Sequence, residues 1–412
     1  APVKQDDIAK AGVAMPRIDY AGTEKFPLAG KVYQGIPEFA SGAGPYKAKA
    51  FLIYYTNPAF SAPECTRFYD LFKSKEIELI VTFSPFMDET SALADYILPD
   101  MTYLERYHDD VIYPSLGYPC CSMRQPVIKP LYDTRSTGDV LIQIAKKIGG
   151  TVAESFPWNS CLDAIKERYK GIQEAKIGNI INDDWDKWWE EFLRVGVWYN
   201  APYQFNNWSH EFQTETGKFE IFSLNLEHKL NELAEKKATA ENIPISDALE
   251  KILTNLKISA RGEKLYLPHY ESWRSVGDTN TYPLVLITYK LMTHAEGRGA
   301  NVPYLQEILG IHIMKSWFSW VEINPRDAEK YGIKDGDLVW IESPKGKIKV
   351  KAVLYEGAKP GIVNMPYELG HKQYGRWAQN RGANPNEIIA SEYDYLGGLA
   401  AWSSTRVKIY RA

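Results

Sequence analysis

Cysteine is scarce: four in 412 residues, Cys65, Cys120, Cys121 and Cys161. None of them forms the C-x-x-C spacing of a zinc or redox pair, and the adjacent Cys120-Cys121 suits joint ligation of one ion poorly. So few thiols in so long a chain also exclude a disulfide framework, and they read as buried free cysteines. Long apolar runs are missing as well; none approaches the ~20 residues of a membrane-spanning helix. Basic charge is not in excess, with 48 Lys and Arg against 52 Asp and Glu and a formal net charge of −4. No nucleic-acid partner is expected, because that would want a basic stripe. The opening APVKQDDIAKAG has neither an initiator Met nor an apolar h-region, so it does not read as a signal peptide. It suits a processed end or one piece of something larger.

Aromatic residues are plentiful: 12 Trp and 27 Tyr point to large buried interfaces between layers or subunits. The length allows two or three domains. Residues 1–45, rich in Gly and Pro, read as an extended lead-in. Residues 46–150 read as an α/β domain. AKAFLIYYTNPAFSAPE (48–64) gives a strand, a turn at Thr56-Asn57-Pro58 and a helix from about Pro63 to Lys73. IELIVTFSP (77–85) gives the next strand, followed by the polar turn Asp88-Glu89-Thr90-Ser91 and a short helix that Asp88 or Ser84 can cap. This rhythm predicts a parallel, helix-covered sheet, whose ligands sit in the crevice at the strands' carboxyl ends. TGDVLIQIAKKIG (137–149) predicts a helix with Thr137 as N-cap, an apolar face of Val140, Leu141, Ile144 and Ile148, and a stop at Gly149.

Residues 151–280 read as a helical insertion and linker. Helices are predicted over 160–170 and 183–195, the second with an aromatic face of Trp185, Trp188, Trp189 and Phe192. That face fits packing against the sheet domain or a partner chain. The charged stretch 227–257, interrupted at Ile243-Pro244, reads as a solvated helical insertion. From residue 281 to 412 the texture changes to short strands with turn chemistry between them, a β-rich domain of closed-barrel character. One small helix intervenes, with Asn324 as cap, Pro325 at its first position and Gly332 as its stop. SPKGK (343–347) predicts a hairpin turn.

Taken together, several stretches resemble the carboxyl-terminal half of a molybdopterin oxidoreductase of the dimethyl-sulfoxide-reductase family. These are TNPAFSAPE, IVTFSPFMDETSALADYILPDMTYLER, TETGKFEIFS (214–223), WVEINPRDAEKYGIKDGDLVWIESPKGKIKVKAVLYEGAKPGIVNMP and RGANPNEIIASEYDYLGG, in the family's order. The pattern from SPFMDETS onward looks nearest to the polysulfide, thiosulfate and tetrathionate reductase branch and its menaquinone-linked relatives. The resemblance implies a bis-molybdopterin guanine dinucleotide carrying Mo or W, held between the α/β layer and a final barrel of double-psi type. Asn57, Ser84, Asp88, Glu89 and Thr90 would then meet a guanosine and pyrophosphate, since backbone N–H groups at a helix start suit phosphate. Helix capping accounts for Asp88, Glu89 and Thr90 equally well. On the barrel, Thr288, Lys290, His294, Arg298 and Asn301 would present donors, while Gly297 and Gly299 let the backbone approach closely. Gly382, Asn384 and Asn386 would serve amide-to-ring hydrogen bonds. His371 and Asp394 are secondary candidates, for which surface or capping roles serve as well.

The same resemblance places the 4Fe-4S cluster and the metal's own ligand on the amino-terminal half, so no catalytic residue and no metal ligand is assigned here. Cys65 sits at a helix start, which would favour its thiolate, but its position does not match the family's ligand segment. Two functions are expected. In the first, the chain clamps the cofactor of a catalytic subunit that carries out two-electron redox of a small, sulfur-containing substrate in an anaerobic respiratory chain. Its partners would be its amino-terminal half, an iron–sulfur electron-transfer subunit and a membrane anchor subunit, on the periplasmic side. In the alternative, it is a metal-free relative that serves as a structural or electron-wiring subunit of a membrane quinone-linked complex. The aromatic surfaces at 185–192 and 198–208 would then be interface. An unrelated binding barrel would not explain why the motifs of 46–150 and 282–412 occur together.

Overall fold

A computed structural model describes residues 7–13, 15–112, 118–200, 212, 214–308 and 317–412. The fold is mixed α/β with a closed six-stranded barrel. Two units form. The described residues within Met15–Thr82, Phe86–Tyr96 and Glu220–Ala412 make the barrel-bearing one, and those within Ala1–Ala14, Phe83–Pro85 and Ile97–Phe219 make the other.

Strands β1 (Ala50–Tyr54), β2 (Leu79–Phe83) and β3 (Tyr96–Leu98) form a three-stranded sheet in that order. Between β1 and β2 the single helix expected from Pro63 is replaced by two, Pro58–Ser61 and Thr66–Lys73. Glu64, at φ 50°, turns the backbone left-handed and separates them. The second helix buries Phe68, Leu71 and Phe72 with Ile53, Ile77 and Ile80. The lead-in expected to be extended contains the helix Asp7–Val13 and helical turns at Tyr33–Gly35, Ile36–Glu38 and Phe39–Ala43. Val32, Ile36 and Phe39 recur at a helical spacing, and Phe26, Val32 and Phe39 are fully buried.

In the other unit, β4 (His108–Ile112), β5 (Cys120–Arg124) and β6 (Val197–Tyr199) form an antiparallel sheet. The helices Cys161–Glu174 and Trp185–Val195 cover one core with it. Trp188, Trp189 and Phe192 lie in that core beside Tyr169 and Met123. The aromatic face at 185–192 is therefore interior packing and not a free interface. Trp198 is buried as well, and residues 201–208 lie outside the described residues. The helix Thr137–Ile148 forms as expected but is preceded by Ser136 as N-cap, and Gly149 ends it at φ 81°. Its apolar face differs: Ile142 and Ala145 are buried, whereas Ile144 and Ile148 are exposed. The helix docks by its first turn, where a Cβ on Gly138 would stand 2.6 Å from the Cys161 sulfur.

The stretch read as a solvated insertion forms helices Leu224–Glu241 and Ile245–Asn255, broken by Asn242 at φ 52°. Leu226, Leu230, Leu233 and Ala234 share a core with Ile252 and Leu253, because apolar residues recur at i, i+4 and i+7 within the charged background.

The barrel comprises β7 (Leu284–Tyr289), β8 (Trp320–Ile323), β9 (Leu338–Ser343), β10 (Gly346–Leu354), β11 (Ile362–Pro366) and β12 (Arg406–Arg411). Around the barrel the order is β10-β8-β11-β7-β12-β9, with β7/β11 and β8/β10 parallel and the other pairs antiparallel. Alternating residues such as Leu284, Leu286, Val339, Ile341, Ile348 and Val350 fill its interior. Ser343 pairs with Gly346 across the two-residue turn Pro344-Lys345, as expected from SPKGK. Asn324 caps Pro325–Lys330 through the Arg326 N–H, also as expected.

Candidate functional site

All described contacts of the site lie within the barrel-bearing unit. Asn57 ends the turn after β1 and reaches two residues of the loop after β2. Its Nδ2 donates to Glu89 Oε2 at 2.7 Å, and its Oδ1 accepts from the Thr90 N–H at 3.1 Å and hydroxyl at 2.8 Å. Thr90 Oγ1 in turn accepts from the Ala59 N–H at 3.1 Å. Asp88 Oδ1 accepts from the Ser91 N–H at 2.7 Å, at the start of the turn Ser91–Leu93, whose N-cap position is held by Thr90. Asp88, Glu89 and Thr90 are all buried. Ser84, the remaining candidate of this group, belongs to the other unit and is buried there.

Glu89 is the electrostatic centre of this loop. Its Oε1 accepts from the backbone N–H groups of Lys372 and Gln373, at 2.8 and 3.1 Å, and both oxygens stand 3.1–3.2 Å from His371 Nδ1. Burial alone would raise its carboxyl. The bonds from His371, Asn57 and the Gln373 N–H outweigh it and hold the carboxyl down at about 2. Asp88 moves the other way, raised by burial that its Ser91 bonds only partly offset.

The loop 288–301 leaves the barrel at the end of β7, where Thr288 pairs in register with Met365. Glu368, fully buried, accepts from the backbone N–H groups of Leu291 and Glu296 and pins the loop. Burial raises its carboxyl. Lys290 pairs with Glu296, and the exposed Arg298 lies over the Tyr55 ring at 5.6 Å. Asn301 Oδ1 accepts from the Trp377 N–H at 3.0 Å. His294 is fully buried, and its Nδ1 meets the Thr293 hydroxyl at 2.7 Å. The Gln306 side chain is its second hydrogen-bonding neighbour. Burial lowers the His294 ring, with Gln306 partly opposing.

Asn384 and Asn386 tie the last barrel loop to the Asn-Pro loop. Both side-chain amides donate to the Phe60 carbonyl, at 2.8 and 3.0 Å, and Asn384 Oδ1 accepts from the Asn386 N–H. Asn386 Oδ1 is buried without a partner. The glycines serve contacts within the protein itself. A Cβ on Gly297 would stand 2.7 Å from the Phe60 ring, on Gly299 2.4 Å from the Thr293 carbonyl, and on Gly382 2.3 Å from the Ser319 hydroxyl. Asp394 caps its own loop through the Leu396, Gly397 and Leu399 N–H groups. Cys65, at a helix start, is not the stabilised thiolate its position suggests: burial pushes its thiol up to about 12. Sequence reasoning missed Glu368, which carries no motif and is recognised only by what it bonds.

Residues 284–405 match the family described as "Molydopterin dinucleotide binding domain". The chain is 31% identical, over 99% of its length and 51% of the relative's, to the molybdopterin-containing subunit of an arsenate respiratory reductase from Shewanella sp. (strain ANA-3). The chain belongs to the molybdopterin oxidoreductase family. It corresponds to the family's carboxyl-terminal half and spans about half the length of the relatives it matches. A thiosulfate reductase subunit of Salmonella typhimurium is 25% identical over 83% of the chain and 41% of the relative. The menaquinone reductase, molybdopterin-binding-like subunit of Nitratidesulfovibrio vulgaris is 24% identical over 90% of the chain and 43% of the relative. Acetylene hydratase from Pelobacter acetylenicus shares the fold, with a TM-score of 0.64 at 17% identity over 96% of this chain and 50% of that one.

The residues present fit a polar dinucleotide cofactor. Asn386 Oδ1, on the last barrel loop, is a buried polar atom left without a partner among the described residues, and such an atom is costly unless something satisfies it.

Proposed function

We propose that the chain is the cofactor-clamping part of a catalytic subunit that carries out two-electron redox of a small oxyanion or sulfur compound. The observation that carries this reading is the fully buried Asn386 Oδ1, left without a partner among the described residues, on the last barrel loop of a chain whose residues 284–405 match a molybdopterin dinucleotide binding domain. His294, Arg298, Asn301 and Asn386 would hold the dinucleotide, with Thr288, Lys290, Gly297, Gly382, Asn384 and the Asn57–Asp88–Glu89–Thr90 turn around it. When bound, the group supplies two-electron chemistry at its Mo or W, while this chain's residues bind it, orient it and exclude water. The barrel, with its two parallel pairs, is read as the double-psi type.

The substrate class comes from relatives named for arsenate, thiosulfate, tetrathionate, selenate and sulfite. All are oxyanions, which widens the sulfur substrate expected from sequence. An amino-terminal half with a 4Fe-4S cluster, an iron–sulfur subunit, a membrane anchor, anaerobic respiration and a periplasmic site complete the reading. Among the described residues no helix is long and apolar enough to cross a membrane. The second reading, a metal-free wiring subunit of a quinone-linked complex, is favoured by the likeness to the molybdopterin-binding-like subunit.

The test is to denature the purified native complex oxidatively and assay released fluorescent pterin and guanine nucleotide. Both should appear, and should fall in Arg298→Ala and Asn386→Ala preparations. Neither pterin nor nucleotide from an intact complex would reject the cofactor-clamping role.

A further inference from the structure

His371 is where four stretches of the barrel-bearing unit meet. Phe60 stacks on its ring at 3.6 Å and 10°, and Tyr374 at 4.8 Å and 19°. Its Nδ1 faces the Glu89 carboxylate at 3.1 Å, and its Nε2 faces the Gly297 carbonyl at 3.1 Å. Neither partner is set to donate: a carbonyl never does, and both Glu89 oxygens already accept N–H groups, Oε1 from Lys372 and Gln373 and Oε2 from Asn57. Both contacts are hydrogen bonds only when both ring nitrogens carry protons. A lone buried cation would be costly, but Glu89 supplies its counter-charge and the stacked rings offer it their faces. Asp88 and His294 also lie within reach of its charge.

The loop on the far side of that bond is strained. Ala295, Glu296 and Gly297 run consecutively at φ 45°, 62° and 93°. Two of them are not glycine, a conformation that persists only when its surroundings hold it. Glu368 holds the Glu296 N–H at 2.5 Å, and His371 holds the Gly297 carbonyl.

We propose that His371 is the positioning residue of the 288–301 loop: a doubly protonated ring, anchored on Glu89, whose second N–H grips the Gly297 carbonyl. It thereby fixes His294, Arg298 and Asn301 for the cofactor. That last consequence rests on the cofactor reading above; the grip itself does not.

The test uses the 412-residue chain without cofactor, labelled with 15N-histidine. The ring signal that contacts Phe60 and Tyr374 should show two protonated nitrogens in neutral buffer. One protonated and one bare nitrogen would overturn the proposal, and this reading needs no variant to fold. Hydrogen exchange then compares the parent with His371→Gln and Glu89→Gln. Amides 296–301 should exchange roughly ten- to a hundredfold faster in both, the worth of a charge-assisted hydrogen bond. Those of Ile341 and Val363 in the barrel core should keep their rates. Unchanged loop rates in a folded variant, or a core accelerated as much as the loop, would also overturn it. An intact grip in a complex that releases no pterin would reject the cofactor reading alone.

Discussion

At the scale of single residues, Glu89 carries the sharpest consequence. Its folded carboxyl lies at about 2, below its ordinary value of 4.5, so its stabilising share is complete above that value and is lost as pH falls towards 2. Glu89→Gln should cost about 3 kcal/mol at neutral pH, the size expected for breaking a buried charge pair. Urea denaturation from pH ~5 down to ~2.5 should show that gap narrowing as the carboxyl takes up its proton. A gap that does not change with pH would mean that the ionised carboxylate contributes nothing. Cys65 gives a second prediction. A thiol raised from 9.0 to about 12 has roughly a thousandfold less thiolate at a given pH. Iodoacetamide should label it in urea and leave it nearly untouched in the native chain. Equal labelling in both would contradict its burial.

At the scale of elements, the loops after β11 and before β12 depend on close backbone approach. Gly370 sits at φ 96°, and a Cβ there would stand 2.3 Å from the Ala383 carbonyl carbon and the Asn384 nitrogen. Both are backbone atoms that cannot swing aside. Gly370→Ala should therefore lower stability by on the order of 3 kcal/mol, visible as a fall in Tm. A Tm within a degree of the parent would show that the two loops are not so tightly joined. Element order in the barrel was legible because its signals are local: alternation in DLVWIES and KIKVKAVLY, the SPKGK turn and the Asn324-Pro325 start. The two-helix break at Glu64 was not, since a left-handed glutamate leaves no pattern. Nor was the true buried side of Thr137–Ile148, which depends on Gly138 meeting Cys161 in a helix more than twenty residues on.

At the scale of the whole molecule, the site became visible only in part. The polar residues at 57, 88–90, 294–301 and 382–386 stand out because polar clusters at strand ends have few other uses. What joins them did not, because Glu89 and His371 are 282 residues apart in the chain and Leu291 and Glu368 are 77 apart. No local spacing encodes such pairs; the fold makes them neighbours. The central claim is that this assembly clamps a metal-bearing pterin dinucleotide. The most direct measurement is the molybdenum and tungsten content, by plasma mass spectrometry, of the native complex that contains this chain. About one metal atom per chain is predicted, lowered by His294→Ala and Arg298→Ala. A complex with its companion subunits and iron intact but neither metal would contradict the claim and leave the chain a wiring scaffold.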